Sequence, residues 1–159
     1  MADRVILRPA TPADVDRVYA WANDPITRAS SFSSAEIPYA EHVAWFNQQL
    51  ERGDRNLLIA SIAKDPPHPI AVIRLDRAAE QGICVISINV APEARGRGLG
   101  IAALEAANAC AAELGFSQIQ ALIRPDNHAS VRAFTRAGYS SNEPTHVGNQ
   151  PALLLLREV

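Results

Sequence analysis

Residues Arg95-Gly96-Arg97-Gly98-Leu99-Gly100 join the apolar run Ile83–Val90 to the alanine-rich stretch Ile101–Leu114. This junction constrains the fold more than any other segment. Glycine has no Cβ to hold the backbone away from a ligand, and it adopts positive φ at little steric cost. Three glycines feeding a helix therefore aim several main-chain N–H groups at one anion, where the positive end of the helix dipole also points. Arg95 and Arg97 add donors whose geometry suits phosphate. The segment predicts a strand, a pyrophosphate-binding turn and a helix, in that order.

At 159 residues, 48% hydrophobic and 20% charged, the chain is expected to form one domain over 1–159. A chain of this length buries roughly 70% of its unfolded surface. The net charge of −2 offers no basic face, so no nucleic-acid partner is expected. No apolar stretch approaches membrane-spanning length, and Met1-Ala2-Asp3-Arg4 starts no signal peptide, so a cytoplasmic protein with no membrane partner is expected. Cys84 and Cys110 stand alone in apolar surroundings and read as reduced packing residues. Neither belongs to a ligand cluster, and no metal is expected.

The pattern along the chain alternates strands and helices. Val5–Arg8 reads as a short strand, and Thr11-Pro12-Ala13-Asp14 as a helix start with Val15, Val18, Tyr19 and Ala22 at helical spacing behind it. Asn23-Asp24-Pro25 reads as a break, followed by a polar loop through Ser34. Tyr39–Arg52 is a second helix, with Val43, Phe46 and Leu50 as its apolar stripe. Gly53-Asp54 ends it. Asn56–Ala63, Ile70–Asp76 and Gly82–Val90 follow as hairpin strands, joined by Pro66-Pro67-His68-Pro69 and a charged turn near Glu80-Gln81. Leu99–Leu114 is a helix, Ile119–Ile123 a strand, Ala129–Ala137 a helix and Ala152–Leu156 a last strand. The class is α+β, with hairpins first and a strand–helix–strand crossover later.

Two nucleotide signatures fail on spacing. A dinucleotide fold places its glycines after an early strand with a ribose-binding acid some 20 residues on, and Ile119-Gln120-Ala121 offers none. A P-loop requires Gly-Lys-Ser/Thr, where this chain has Leu99-Gly100-Ile101. What remains is Arg95-x-x-Gly98-x-Gly100, followed by Asn127-x-x-Ser130-x-x-Ala133-Phe134-x-x-x-Gly138-Tyr139. This pair resembles the acetyl-CoA signature of the GNAT N-acetyltransferase superfamily, and the element order agrees over nearly the whole chain.

The resemblance implies a mixed, mostly antiparallel sheet of six to seven strands flanked by about four helices. It implies acetyl transfer from acetyl-CoA to a primary amine by direct attack. Pantetheine would pair with the strand edge at Ile88 and Val90. The pyrophosphate would lie on Arg95, Gly96, Arg97, Gly98, Gly100 and Ile101, with Asn127, Ser130, Phe134 and Arg136 completing the cofactor site. The Val90 N–H is the implied oxyanion donor. Phe134 stands where the family's proton-donating tyrosine usually stands, so either the thiolate leaves unprotonated or Tyr139 or Tyr39 serves as replacement acid. Asn89 and His42 are candidates for proton removal.

The polar-aromatic first third resembles the branch acting on nucleotide-linked amino sugars, of the pseudaminic-acid pathway type. There Trp21, Asn23, Arg28, Phe32, Tyr39 and His42 would line the acceptor. Arg8-Pro9-Ala10-Thr11-Pro12-Ala13-Asp14 also resembles the opening of the ribosomal-protein N-terminal acetyltransferases. A protein N-terminus or a small amine is therefore the alternative acceptor. Because Phe134 has no proton to give, a non-catalytic acetyl-CoA-binding module is the third reading. A homodimer through the last strand is compatible with the pattern.

Overall fold

In the computed structural model, which describes residues 3–52 and 55–159, seven strands form one sheet in the order β1-β2-β3-β4-β5-β7-β6. They are β1 (Val5–Pro9), β2 (Arg55–Ile62), β3 (His68–Arg77), β4 (Ile83–Val90), β5 (Gln118–Ile123), β6 (Ser140–Val147) and β7 (Gln150–Glu158). Among the described residues there are five α-helices: α1 (Val15–Ala22), α2 (Pro25–Ser30), α3 (Tyr39–Glu51), α4 (Leu99–Glu113) and α5 (His128–Arg136). Met1-Ala2, read above as the opening of the chain, and the Gly53-Asp54 helix stop lie outside the described residues. All pairings are antiparallel except β4–β5, so the expected class and crossover hold.

Four local expectations are corrected. The polar loop after Ala22 contains α2: Asp24 caps it, its Oδ2 accepting the Thr27 N–H at 3.1 Å, and Pro25 opens it. Asp-Pro at a helix end serves equally well as a helix start. His68 and Pro69 belong to β3, opposite Ile62 and Ser61 beside an irregularity at Ala60/Ser61. Between Ala137 and Ala152, where no element is expected from the sequence, lie an edge strand, β6, and the start of β7. Finally, the buried stripe of α3 is His42, Phe46 and Gln49: it shares Phe46 with the expected stripe, while His42 and Gln49 take the places of Val43 and Leu50.

β7 is hydrogen-bonded to β5 on one side and β6 on the other. Ala152–Leu156 therefore lies inside the sheet and not at its edge. The core spans both faces of the sheet and includes Ile59, Ile70, Ile73, Leu75, Leu104, Ile119 and Leu155, each almost fully buried. Cys84 is buried and Cys110 half-buried, both unpaired. No helix among the described residues is long and apolar enough to cross a membrane.

Near the N-terminus, Asp14 organises the turn from β1 into α1. Its carboxylate accepts from Arg8 (2.7 and 2.8 Å), from the Thr11 N–H (2.9 Å) and from Arg17 (2.5 Å). Burial alone would raise its pKa, but the hydrogen bonds and the two guanidinium charges outweigh burial and hold it at about 2.

Candidate functional site

β4 and β5 run side by side only at their starts, where Ile83–Val85 pair with Gln118–Gln120. Beyond that the strands part. The Ala91 N–H donates to the Ile70 carbonyl across the β3–β4 ladder at 2.7 Å. Antiparallel alternation then turns the main-chain groups of Ile88 and Val90 away from β3 and into the gap. The Ile88 peptide groups and the Val90 N–H thus line the opening, ready to pair with an extended ligand rich in amides, while the Val90 carbonyl accepts from Arg95 at 3.4 Å.

The glycine segment closes one face of this gap. Gly96 and Gly98 have φ of +74° and +75°, and a Cβ built on either would meet nothing within 4 Å. No protein packing explains these glycines; the space they leave open faces outward. Gly98 is the N-cap of α4 and supplies no side-chain cap. The Ala102 N–H donates to the Gly98 carbonyl at 3.2 Å and closes the first turn of the helix. The N–H groups of Leu99, Gly100 and Ile101 therefore project beyond the helix end. Gly100 lies against Val90, whose Cγ2 is 3.5 Å from where a Cβ would be, so α4 begins directly over the end of β4. Such a cradle accepts a pyrophosphate, and the free strand edge beside it accepts the amides of a pantetheine arm.

The opposite face carries α2. Asn89, which alternates with Val90, has its Oδ1 3.4 Å from the Thr27 hydroxyl. Asp24 Oδ2 receives the Thr27 N–H and Arg95 NH1 (2.9 Å). These bonds, working against modest burial, hold the carboxyl below the usual carboxylate range. The gap is thus flanked by the start of α4 on one side and by α2 on the other.

Several residues selected from sequence are located elsewhere or already engaged. The Arg95 guanidinium lies on Asp24 and Thr27, and only its backbone belongs to the cradle. Arg97 reaches Asp3 at 3.6 Å and is half-exposed. Asn127 caps α5 by accepting the Ser130 N–H at 3.3 Å, so both residues serve the helix start that follows β5. Arg136 ends α5 roughly 12 Å away, at ~1.5 Å per residue. There it lines an open groove of about 690 Å³ with Glu105, Asn108 and Arg157, so it is not at the cradle.

Phe134 is 4% exposed, and its ring meets Tyr139 edge-on at 4.9 Å. Tyr139 is 2% exposed and donates its hydroxyl to Asn108 Oδ1 at 2.7 Å; burial pushes its pKa well up. Both rings belong to the core, so Tyr139 is not placed as an acid.

His42 is buried between α1 and α3, on the same face as Phe46. Its Nε2 is 2.9 Å from the Val15 carbonyl oxygen. Burial lowers its pKa, with the Val15 bond opposing. A ring N–H at Nε2 donates to that carbonyl, so this nitrogen is committed within the fold.

Trp21 is a core residue. Asn23 is committed to Ile37, donating to its carbonyl (2.9 Å) and accepting its N–H (2.8 Å). The Arg28 guanidinium is spent on the carbonyls of Ala22 and Ser33. Tyr39 is exposed but bonded to Asp16 at 2.6 Å. Phe32 remains half-buried beside the gap, with its carbonyl held by Gln150. Sequence reasoning missed Asp24, Thr27 and Arg124. The capping pair Asp24-Pro25 was the available signal for the first two.

Among the described residues no cluster of His, Cys, Asp or Glu converges as a metal site. No curated protein matches the chain in sequence. Among solved structures it resembles AAC(6')-Ib in complex with ribostamycin and coenzyme A (TM-score 0.87, 19% identity, covering 98% of this chain and 94% of that one). It also resembles a putative phosphinothricin N-acetyltransferase (0.74, 24%, 98% of each) and the GNAT domain of S. lividans PAT (0.75, 22%, 96% and 89%). At these identities the likeness speaks for the fold. The family model "Acetyltransferase (GNAT) domain" matches residues 4–140, a span that contains both the parted strands and the glycine cradle, and the chain belongs to the GNAT acetyltransferase family.

Proposed function

We propose that the chain moves acetyl from acetyl-CoA to the primary amine of an amino sugar by direct attack. The observation that carries the donor is the gap between β4 and β5, with free peptide groups on one edge and an uncapped, glycine-lined helix start above it. Acetyl-CoA supplies an activated thioester. The main-chain N–H groups around Gly96–Ile101 hold its pyrophosphate, Ile88 and Val90 align its amide arm, and Asn127 and Ser130 border the arm from the other side.

The Val90 N–H serves as donor to the developing oxyanion, since a preorganised main-chain dipole at that point costs no reorganisation. With Phe134 and Tyr139 both in the core and the Tyr39 hydroxyl donating to Asp16, the thiol, of ordinary pKa near ~8.5, departs as thiolate at modest cost. Asn89, with its Oδ1 3.4 Å from the Thr27 hydroxyl, stands on the α2 side of the gap. It positions the acceptor amine, with water carrying away its proton.

On the acceptor side, the half-buried Phe32 and the polar start of α2, with Asp24 and Thr27 beside Asn89, suit an amino sugar. Neighbouring structures bearing aminoglycosides, namely AAC(6')-Ib with kanamycin and with ribostamycin, agree with that chemical class. Arg28 is committed to carbonyls, so a nucleotide phosphate, if the sugar carries one, is held by other groups. The test is CoA release, followed with a thiol reagent, against aminoglycosides, UDP-linked amino sugars and peptide α-amines. Release with amino sugars alone is expected. Release with peptides alone would move the acceptor to a protein N-terminus, and tight acetyl-CoA binding without any release would identify a binding module.

A further inference from the structure

Helix α2 lies across the mouth of the gap, and an arginine distant in sequence holds each of its ends. At its start, Arg95 NH1 donates to Asp24 Oδ2 (2.9 Å) and Arg95 NH2 to Thr27 Oγ1 (2.6 Å), the latter also reaching the Val90 carbonyl at 3.4 Å. At its end, Arg124 NH1 donates to the carbonyls of Ala29 (2.7 Å) and Ser31 (3.1 Å), while Asp126 fixes the rest of that guanidinium. Cations at the carbonyl end and a carboxylate cap at the N–H end both suit the helix dipole.

The helix needs this support. It is six residues long, buries none of them fully and leaves Ile26 66% exposed. A helix that short has no independent stability. Arg95 follows β4 and Arg124 follows β5. The residues that leave the two parted strands are therefore the ones that hold the helix in front of them.

We propose that Arg95 and Arg124 form a clamp that fixes α2 as a wall of the acceptor site. Arg95 is then a positioning residue for the amine and not a phosphate ligand. What the wall serves rests on the acetyl-transfer reading above; the clamp itself does not depend on it.

The test compares Arg95→Gln, Arg124→Gln, Asp24→Asn and the Arg95→Gln/Asp24→Asn double variant with the parent. Hydrogen exchange over residues 24–31, acetyl-CoA affinity by calorimetry and the KM of the best amine are measured for each. Exchange over 24–31 is expected to rise at least ~tenfold in every variant. The amine KM rises by a similar factor while acetyl-CoA affinity is unchanged, and the double variant is no worse than its worse single. An Arg95→Gln protein that loses acetyl-CoA affinity with exchange unaltered would make Arg95 a phosphate ligand and overturn the proposal. Unaltered exchange in Arg124→Gln would also overturn it. If the parent acetylates no amine, the acetyl-transfer reading fails, while exchange still decides the clamp.

Discussion

Gly98 combines a left-handed backbone with open space where a side chain would point. Gly98→Ala should therefore cost ~1–2 kcal/mol of stability from backbone strain alone, read by urea unfolding. It should also abolish most acetyl-CoA binding, because the new methyl stands in the cradle. Tyr139→Phe tests the core assignment of that residue. Losing its bond strands Asn108 Oδ1 and should cost ~1–3 kcal/mol with kcat unchanged. A large fall in kcat with stability intact would restore Tyr139 as the acid. His42→Phe should likewise leave the pH profile of kcat/KM unmoved, since its ring serves the Val15 carbonyl.

At the scale of elements, Asp14 ties the end of β1 to the start of α1, and its pKa near 2 has a defined consequence. Its folded value lies below the unfolded one, so it contributes stability above about pH 4 that is lost as pH falls towards 2. The contribution at neutral pH is roughly 2 kcal/mol. Asp14→Asn should be less stable by about that much at pH 7 in urea unfolding, and the difference should shrink towards zero near pH 2. The Asp14 cluster was visible in sequence only as a helix start, because neither Arg8 nor Arg17 announces a tertiary partner. The same limit applies to α2 and β6. Asp24-Pro25 signals both a stop and a start, and a polar edge strand such as Ser140–Val147 lacks the alternation that marks a half-buried one. Where helical spacing was strong, as over Val15–Ala22, or glycines bounded an alanine-rich run, as over Leu99–Glu113, the elements were readable.

Across the whole molecule, the donor half of the site was legible and the acceptor half was not. The reason is physical. The cradle is built from backbone, and a run of glycines at fixed spacing is local in sequence. The acceptor wall is built from side chains brought together across 68 and 71 positions, as with Arg95, Thr27 and Asp24. Hydrogen bonds of that range leave no spacing to read. Asn23, Arg28 and His42 looked like ligand groups because polar side chains that satisfy buried carbonyls have the same identities as those that bind substrates.

A site so open, reached between two parted strands, should gain stability from its ligand. At 100 times Kd, acetyl-CoA is expected to add about 2.7 kcal/mol, a rise of roughly 5–10 °C in Tm. The most direct measurement is a calorimetric titration of acetyl-CoA into the parent chain and into Gly98→Ala. The account predicts one saturable site per chain in the parent and at least a ~tenfold weaker one in the variant, a loss of ~1.4 kcal/mol. Equal affinity in the two proteins, or no binding by the parent, would contradict it.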